Sequence, residues 1–464
     1  MSVNLDEFFN FGVKEPINRL AYSQEDIDYK IKIIKKMQEM GMTITMDKVG
    51  NICGKLEFGP NPGEKTIAIG SHTDSVYNGG QYDGPLGVVN GLMVADRLKQ
   101  SKDFNGTLLV CIYQCEESSR FGNACLGSKY LAGKINEDDF NTIFDQKALE
   151  DKKNISLSDC ISEYSSKIQN QIPEIQVVDK IFEKVNYSLE SHIEQYETLA
   201  KLFKKKKEPV IGIVTSVGSA VRIRYSVEGK SDHTGSTPMR KRRNPLDVTS
   251  DFQKAIRKYG KNIEKKGLGR ASQVQISTPG HNSSFNQIPK FAEGEIDIRL
   301  LRENTPEKAI EAFENIIQKT LSKKRCEGIK ISYDILSQGT SIITDSSLNS
   351  QLEKNADHLN IPYIMMPSYA GQDTGFIPAD AKTMIFCPST GGSHNPEEST
   401  TRKCIEYSAL VLEDTCKQLL KQPFKDQLHS GTDDKTAKAL MPESKTNNKK
   451  AKKKEAKKKE ATTR

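Results

Sequence analysis

Residues 70–92 read GSHTDSVYNGGQYDGPLGVVNGL. Two side chains of metal-ligand type, His72 and Asp83, stand in this stretch with ten residues between them. An apolar β-run at residues 66–69 enters it, and a helix-like segment at about 87–100 leaves it. In open α/β sheets, ligands bind outside the carboxyl ends of the strands. A histidine and an aspartate placed there point at a site, because a core residue would lie along the strand. Gly79, Gly80 and Gly84 allow positive φ and close backbone approach, so Asp83 can fold back towards His72. A polar loop with turn glycines would look the same, so the chemistry needs support from the rest of the chain.

Upstream, residues 26–40 place Ile27, Ile31, Ile34 and Met37 on one helical face, and residues 43–53 turn strand-like. Downstream, residues 107–113, TLLVCIY, form a continuous apolar run, as expected of a strand buried on both faces. That run exits into Gln114, Cys115, Glu116 and Glu117. Neighbouring residues on a strand point to opposite faces. At such an exit, one glutamate can turn to a metal while the other faces a substrate. Residues 134–180 read as helices and a surface excursion, and residues 187–189 as a short strand leading into His192. The lysine-rich run at 201–207 marks a boundary.

From residue 211 the pattern changes. Val221, Ile223, Tyr225 and Val227 alternate; a helix follows at 245–261; a strand begins at Val274; Ile296, Ile298 and Leu300 alternate again. A second helix at 305–323 has Thr305 as its cap and Pro306 at its first position. The strand KISYDIL begins at Lys330. This β-α-β-β-α-β order is the ferredoxin-like arrangement. The expected organisation is a catalytic domain at 1–210, an inserted domain at 211–330, the rest of the catalytic domain at 331–425 and a tail at 426–464. The fold class is α/β: a mixed, mostly parallel sheet flanked by helices, plus the inserted unit. In the resumed outer domain a helix is expected at 347–359, a buried strand at 384–387 and a last helix at 405–420. That strand exits into PSTGGSHNPEE, which holds His394.

Composition narrows the class. No run approaches the roughly 18–20 apolar residues that span a bilayer, and residues 1–16 do not resemble a secretory leader. Nine scattered cysteines with no C-x-x-C pair read as reduced thiols of a cytoplasmic protein. The net charge of +7 comes from the tail, since residues 435–464 alone hold twelve Lys or Arg against three Glu. Such a tail is too poor in apolar residues to bury itself. Its lysines have no aromatic residues among them, so base stacking is not expected; weak attachment to polyanions is the residual role.

Five ligand-type residues therefore sit at strand exits: His72, Asp83, Glu117, His192 and His394. Two divalent ions sharing one carboxylate need this inventory, with an open position for water. Such a pair can hold a bridging hydroxide and polarise a carbonyl. Glu116 is then spare, as general base and acid. Zinc, manganese, cobalt and nickel all accept these N and O donors.

The sequence resembles the hydantoinase/carbamoylase family of dinuclear metal amidohydrolases. That family includes N-carbamoyl-L-amino-acid hydrolases, metal-dependent β-ureidopropionases and allantoate amidohydrolases, within the wider aminoacylase and metallo-exopeptidase superfamily. The matching motifs are GSHTDSVYNGGQYDGPLGV, EESSRFGNACLGS, HIEQ, HTGSTPMRKRRNPL, the Asn286 and Arg299 pair, and GGSHNPEE. The resemblance implies one metal on His72, Asp83 and His192 and another on Asp83, Glu117 and His394, with Glu116 as acid/base. It implies that Gln195 lies by a ureido group. It implies that Asn286, Arg299 and the Gly391 and Gly392 backbone hold a substrate carboxylate. It implies a homodimer in which His233 reaches the scissile carbonyl from the partner subunit's lid. The implied substrate is a small ureido or N-carbamoyl acid. The sequence departs from the family at Tyr196, Tyr369 and Gln372, and after the lid histidine, where the family's RRDA reads Arg242, Arg243, Asn244 and Pro245. The competing readings are a metallo-aminopeptidase or dipeptidase of the superfamily and a non-catalytic binding protein on the same fold.

Overall fold

The computed structural model describes residues 3–9, 16–101, 103–280 and 285–421. The tail expected at 426–464 lies outside the described residues. The strand Gly106–Tyr113 sets the architecture, and every residue in it is buried. Leu108, Val110 and Ile112 enter one apolar core, while Leu109, Cys111 and Tyr113 enter another. A strand can feed two cores only if both faces of its sheet are covered.

Its sheet is the largest of three among the described residues and mostly parallel. Across its middle the order is Ile211–Val217, Ala379–Cys387, Val185–Ile193, Thr66–His72, Gly106–Tyr113 and Ile52–Phe58. Four adjacent members, from Ala379–Cys387 to Gly106–Tyr113, run parallel. Their carboxyl ends therefore open on one edge. His72 closes its strand, and that strand pairs His72 with Tyr113 of the next. The helix Pro85–Leu98 follows the first loop, with Pro85 supplying the preset φ of a first helical position. It packs beside Arg402–Lys421.

The second sheet is antiparallel, ordered Gly269–Ser277, Phe291–Leu300, Ser219–Glu228 and Lys330–Gln338. Its strand Phe291–Leu300 alternates half-buried and buried residues along its full length. The helices Pro245–Lys265 and Pro306–Leu321 add Phe252, Ile256 and Phe313 to Ile223, Tyr225 and Ile298 in a separate core. Thr305 caps the second helix as expected, accepting from Lys308 N at 3.4 Å. The expected bounds of 211–330 need correction. Ile211–Val217 pairs with Ala379–Cys387 in the large sheet, and the small sheet runs from Ser219 to Gln338. The reason is legible in burial: Ile211–Val217 is an almost continuous buried run, whereas Ser219–Glu228 alternates.

A buried ion pair ties the N-terminal helix Gln24–Glu39 to the site edge. Lys30 Nζ lies 2.8 Å from Asp26 Oδ2, and both side chains are fully buried. Asp26 also accepts from Tyr22 N at 3.0 Å and from Thr73 Oγ1 at 3.1 Å. Lys30 donates to Gln114 Oε1 and faces the Tyr164 ring at 5.2 Å. The pair thus touches the exits of two neighbouring strands, just past His72 and Tyr113. Lys30→Ala leaves Asp26 charged and buried without its cation, and is expected to cost about 3–5 kcal/mol. Chemical denaturation should show that loss, and Asp26→Asn combined with Lys30→Met should recover much of it.

Candidate metal centre

Every side chain of the cluster reaches it from the shared carboxyl edge. His72 and His192 end parallel strands, Asp83 precedes the helix Pro85–Leu98, Glu117 follows Gly106–Tyr113, and His394 follows Ala379–Cys387. Two groups could each hold a metal ion: His72, Asp83 and His192, and Asp83, Glu117 and His394. Within each, the ligand atoms lie within 4.8 Å of one another. Asp83 belongs to both. Its Oδ1 is 3.0 Å from His192 Nε2 and 3.8 Å from His72 Nε2. Its Oδ2 is 3.6 Å from His394 Nε2. His394 Nε2 is also 3.0 Å from Glu117 Oε1.

The ring orientations suit metal ions. His72 Nδ1 is 2.9 Å from the Asp74 carbonyl oxygen, and His192 Nδ1 is 2.9 Å from that of Ile193. A carbonyl only accepts, so each Nδ1 carries the proton and each Nε2 is left for a ligand. These Nε2 atoms lie 3.4 Å apart and face a carboxylate. Three electron-pair donors converge, so a cation must sit among them. Without a metal, one proton serves. Burial opposes it on His192, but Asp83 and then Glu190 outweigh burial and push that ring up to about 9. Burial, with His192 nearby, pushes His72 down to about 3 despite Asp83. Burial also works against charge on Asp83, yet His192, His72 and His394 hold its carboxyl well below the usual carboxylate range.

The surrounding backbone is placed by residues that the sequence did not single out. Asp74 Oδ1 accepts from Glu116 N at 3.2 Å, and Oδ2 from Glu117 N at 3.0 Å. One buried carboxylate thus clamps both glutamates of the next strand exit. Glu398 Oε1 accepts from Tyr82 N at 2.8 Å and Asp83 N at 3.0 Å, holding the Asp83 loop from the far end of the chain. Ser393 Oγ donates to Asp83 Oδ2. Asp74 stands two residues past His72 and Glu398 four past His394. Acidic residues that close to candidate ligands were the available signal.

The loop conformations are demanding. Gly84 has φ +85°, and a Cβ there would fall 2.4 Å from His72 Cε1. Gly391 has φ +84°, and a Cβ would fall 2.0 Å from the Glu397 carbonyl oxygen. Cys115, Cys125 and His394 are non-glycine residues with φ of 55°, 56° and 59°. Such strain persists where neighbouring structure over-determines it, often at functional sites.

Glu116 stands beside the first group, with Oε2 3.9 Å from His72 Nε2. Cys125 Sγ contacts its Oε1 at 3.4 Å. Burial, then Glu117, Asp373 and Asp74, push its carboxyl well above the usual range. His394 is the open side, with its side chain 52% exposed.

The other expected residues do not join this cluster. His233 is exposed on a two-stranded ribbon with Gln287–Ile288, and its Nδ1 accepts from Gly235 N and Ser236 N at 3.0 and 3.1 Å. Asn286 is exposed and Gln195 half-buried. Arg299, which the resemblance implies as a holder of a substrate carboxylate, lies on the open face of the small sheet, half-buried, with Nε 2.6 Å from Asp297 Oδ1. Strand alternation explains this, since Ile298 and Leu300 take the core face. Of the three single-residue departures only Gln372 is fully buried, and its Oε1 has no hydrogen-bond partner among the described residues. Tyr196 is exposed, and Tyr369 stacks under Arg270 at 3.8 Å.

Comparison with known proteins identifies the family. The profile of peptidase family M20/M25/M40 matches residues 68–418. A ureidoglycolate hydrolase of Oryza sativa is 31% identical, covering 88% of this chain and 82% of that one. An N-carbamoyl-L-amino acid amidohydrolase of Geobacillus stearothermophilus is 28% identical, covering 87% and 93%. The crystal structure of a hydantoinase/carbamoylase family amidase from Burkholderia multivorans superposes with a TM-score of 0.73 at 24% identity, covering 88% and 94%.

Because Asp83 serves both groups, Asp83→Ala should lose both ions, while His192→Ala should weaken one. Elemental analysis of the purified variants measures this. Two ions per chain in Asp83→Ala would refute the shared-ligand geometry.

Proposed function

Since the chain belongs to peptidase family M20/M25/M40, we propose that it is a metal-dependent amidohydrolase acting on linear, non-peptide C–N bonds of small ureido or N-carbamoyl acids. The observation that carries this reading is the pair of ligand groups joined by Asp83, with Glu116 alongside. His72, Asp83 and His192 would hold one divalent ion, and Asp83, Glu117 and His394 the other. When bound, such ions act as Lewis acids and lower the pKa of water.

The chain's own groups do the rest. Glu116 takes the proton from the attacking water at its free carboxylate oxygen and returns it to the leaving nitrogen as the C–N bond breaks. Asp74 keeps Glu116 at its station through the backbone. Arg299, Asn286 and the Gly391 and Gly392 backbone receive the substrate carboxylate, and Gln195 the ureido group. For Arg299 to do so it must exchange Asp297 for substrate. In a homodimer, the small-sheet unit acts as a lid, and His233 of the partner subunit stabilises the developing oxyanion. The nine cysteines are free and buried, which suits a reducing cytoplasm. No helix among the described residues is long and apolar enough to cross a membrane.

A histidine at position 192 favours carbamoylase over exopeptidase chemistry, where the superfamily usually has an acid. The test is a screen of N-carbamoyl amino acids and related ureido acids against dipeptides, with added zinc, manganese, cobalt or nickel, scored by ammonia and by amine release. Turnover of dipeptides alone would establish the peptidase reading. Glu116→Gln keeps the shape but cannot take a proton, and should lose about 10²–10⁴ in kcat while retaining its metal. Arg299→Ala should lower kcat/KM by about 10–1000-fold for ureido acids. A matched amide lacking the acid should be nearly unaffected. Equal losses on both substrates would mean that Arg299 only supports the lid.

A further inference from the structure

Cys125 lies in the stretch EESSRFGNACLGS at 116–128 and has no part in the reaction proposed above. The residue is 3% exposed, and its Sγ donates to Glu116 Oε1 at 3.4 Å. Among the described residues it is the one hydrogen-bond donor on that carboxylate. The other oxygen, Oε2, lies 3.9 Å from His72 Nε2, on the side of the ligand groups and beyond hydrogen-bond reach. Asp74, Asp83, Glu117 and Asp373 stand around the same carboxylate and repel it.

The backbone holds that thiol in place under strain. Cys125 has φ 56°, in the left-handed region that non-glycine residues rarely adopt. Its N donates to Glu116 O at 2.8 Å, Leu126 N to Cys115 O at 2.9 Å and Gly127 N to Gln114 O at 2.7 Å. Three successive N–H groups thus fasten residues 125–127 to the strand exit that carries Glu116. Gly127 permits the approach, since a Cβ there would fall 2.5 Å from Gln114 N. Backbone and side chain of Cys125 therefore both grip the same glutamate. Burial, and then the charge of Glu116, push the thiol well above its usual range, so it keeps its proton and stays a donor.

We propose that Cys125 is a positioning residue for Glu116: its S–H holds Oε1, which turns Oε2 towards the two ligand groups as the oxygen that takes and returns the proton. The inference rests on Glu116 being the base of the reaction proposed above. A thiol suits the task. It is a weak donor, so it fixes the plane of the carboxylate and leaves that group a proton acceptor. Without it, the carboxylate turns away from the neighbouring acids and the proton transfer loses its alignment. Cys125 holds no substrate group, so the loss falls on kcat and spares KM.

Metal-loaded Cys125→Ala should lose about tenfold in kcat on whichever substrate the screen finds, with KM, metal content and melting temperature close to wild type. Cys125→Ser keeps a donor and should recover most of that loss. In a Glu116→Gln background, Cys125→Ala should change kcat little further, because the thiol acts through the glutamate. Infrared spectroscopy gives a readout apart from activity. The S–H stretching band of Cys125, isolated by subtracting Cys125→Ala in each background, should lie low, as for a donor to a carboxylate. It should rise in Glu116→Gln, where the acceptor is a neutral amide. An unmoved band, an unchanged kcat in Cys125→Ala, equal losses in the alanine and serine variants, or additive losses with Glu116→Gln would each overturn the proposal. If Cys125→Ala fails to fold, Cys125→Gly carries the test, since glycine takes the left-handed backbone freely. A wild type that turns over neither ureido acids nor dipeptides would remove the reading above, and with it the base that Cys125 serves. Normal wild-type turnover with an unaffected Cys125→Ala would remove only the positioning role.

Discussion

A carboxylate taken out of water must be given a cation or several donors. This chain crowds the carboxyl edge of one sheet with Asp74, Asp83, Glu116, Glu117, Glu190, Asp373 and Glu398, all buried. Nearly everything near that edge answers to this constraint. Asp74 takes two backbone N–H groups, and Glu398 takes two more. Glu190 takes Ser71 Oγ at 2.8 Å and Thr374 N at 3.0 Å. Asp373 takes Ser128 Oγ at 2.6 Å, but its other oxygen has no partner among the described residues. Glu117 meets His394, and Asp83, which also accepts from Ser393 Oγ, meets His72 and His192, whose Nε2 atoms are themselves electron-pair donors. The remaining charge calls for metal ions.

The same accounting explains why the support reaches so far in sequence. Lys30 is the buried cation that stands near these acids without being one of the candidate ligands, and it comes from the N-terminal helix. Asp26 shares it and accepts from Thr73. Glu398 closes the loop from the C-terminal side. The stations of Asp83, Glu116 and Glu117 are therefore set by a strand neighbour, a helix over eighty positions upstream and the loop that carries Glu398. Loss of any of these frees a charge rather than a mere contact.

Strain gathers at the same edge. Gly84 brings the Asp83 loop against the His72 ring with no room for a Cβ. Cys115 and Cys125 adopt left-handed backbone on either side of the paired glutamates, and His394 does so beside Gly391 and Gly392. Conformations of this kind need a rigid frame. The frame here is four parallel strands with both faces covered. The small sheet is built differently: one face covered by two helices, the other half-buried and polar. Arg222, Arg224, Glu295, Asp297 and Arg299 pair along that open face.

Periodicity and exits were legible in the chain alone. The run 107–113 announced a strand with two covered faces, alternation announced the small sheet, and Thr305 with Pro306 announced a helix start. Residue types at strand exits pointed to His72, Asp83, Glu117, His192 and His394, because an α/β sheet brings parallel exits to one edge whatever loops follow. Pairing was not legible. Ile211–Val217 belongs to the large sheet because of partners more than 120 residues away, and no local pattern states a partner. The direction of Arg299 and its pairing with Asp297 depended on which face the helices cover. The clamps at Asp74 and Glu398 depend on contacts between distant segments. Local sequence determined which elements form and what chemistry their ends carry. Tertiary structure decided which charges meet, because burial and pairing are properties of the assembled chain.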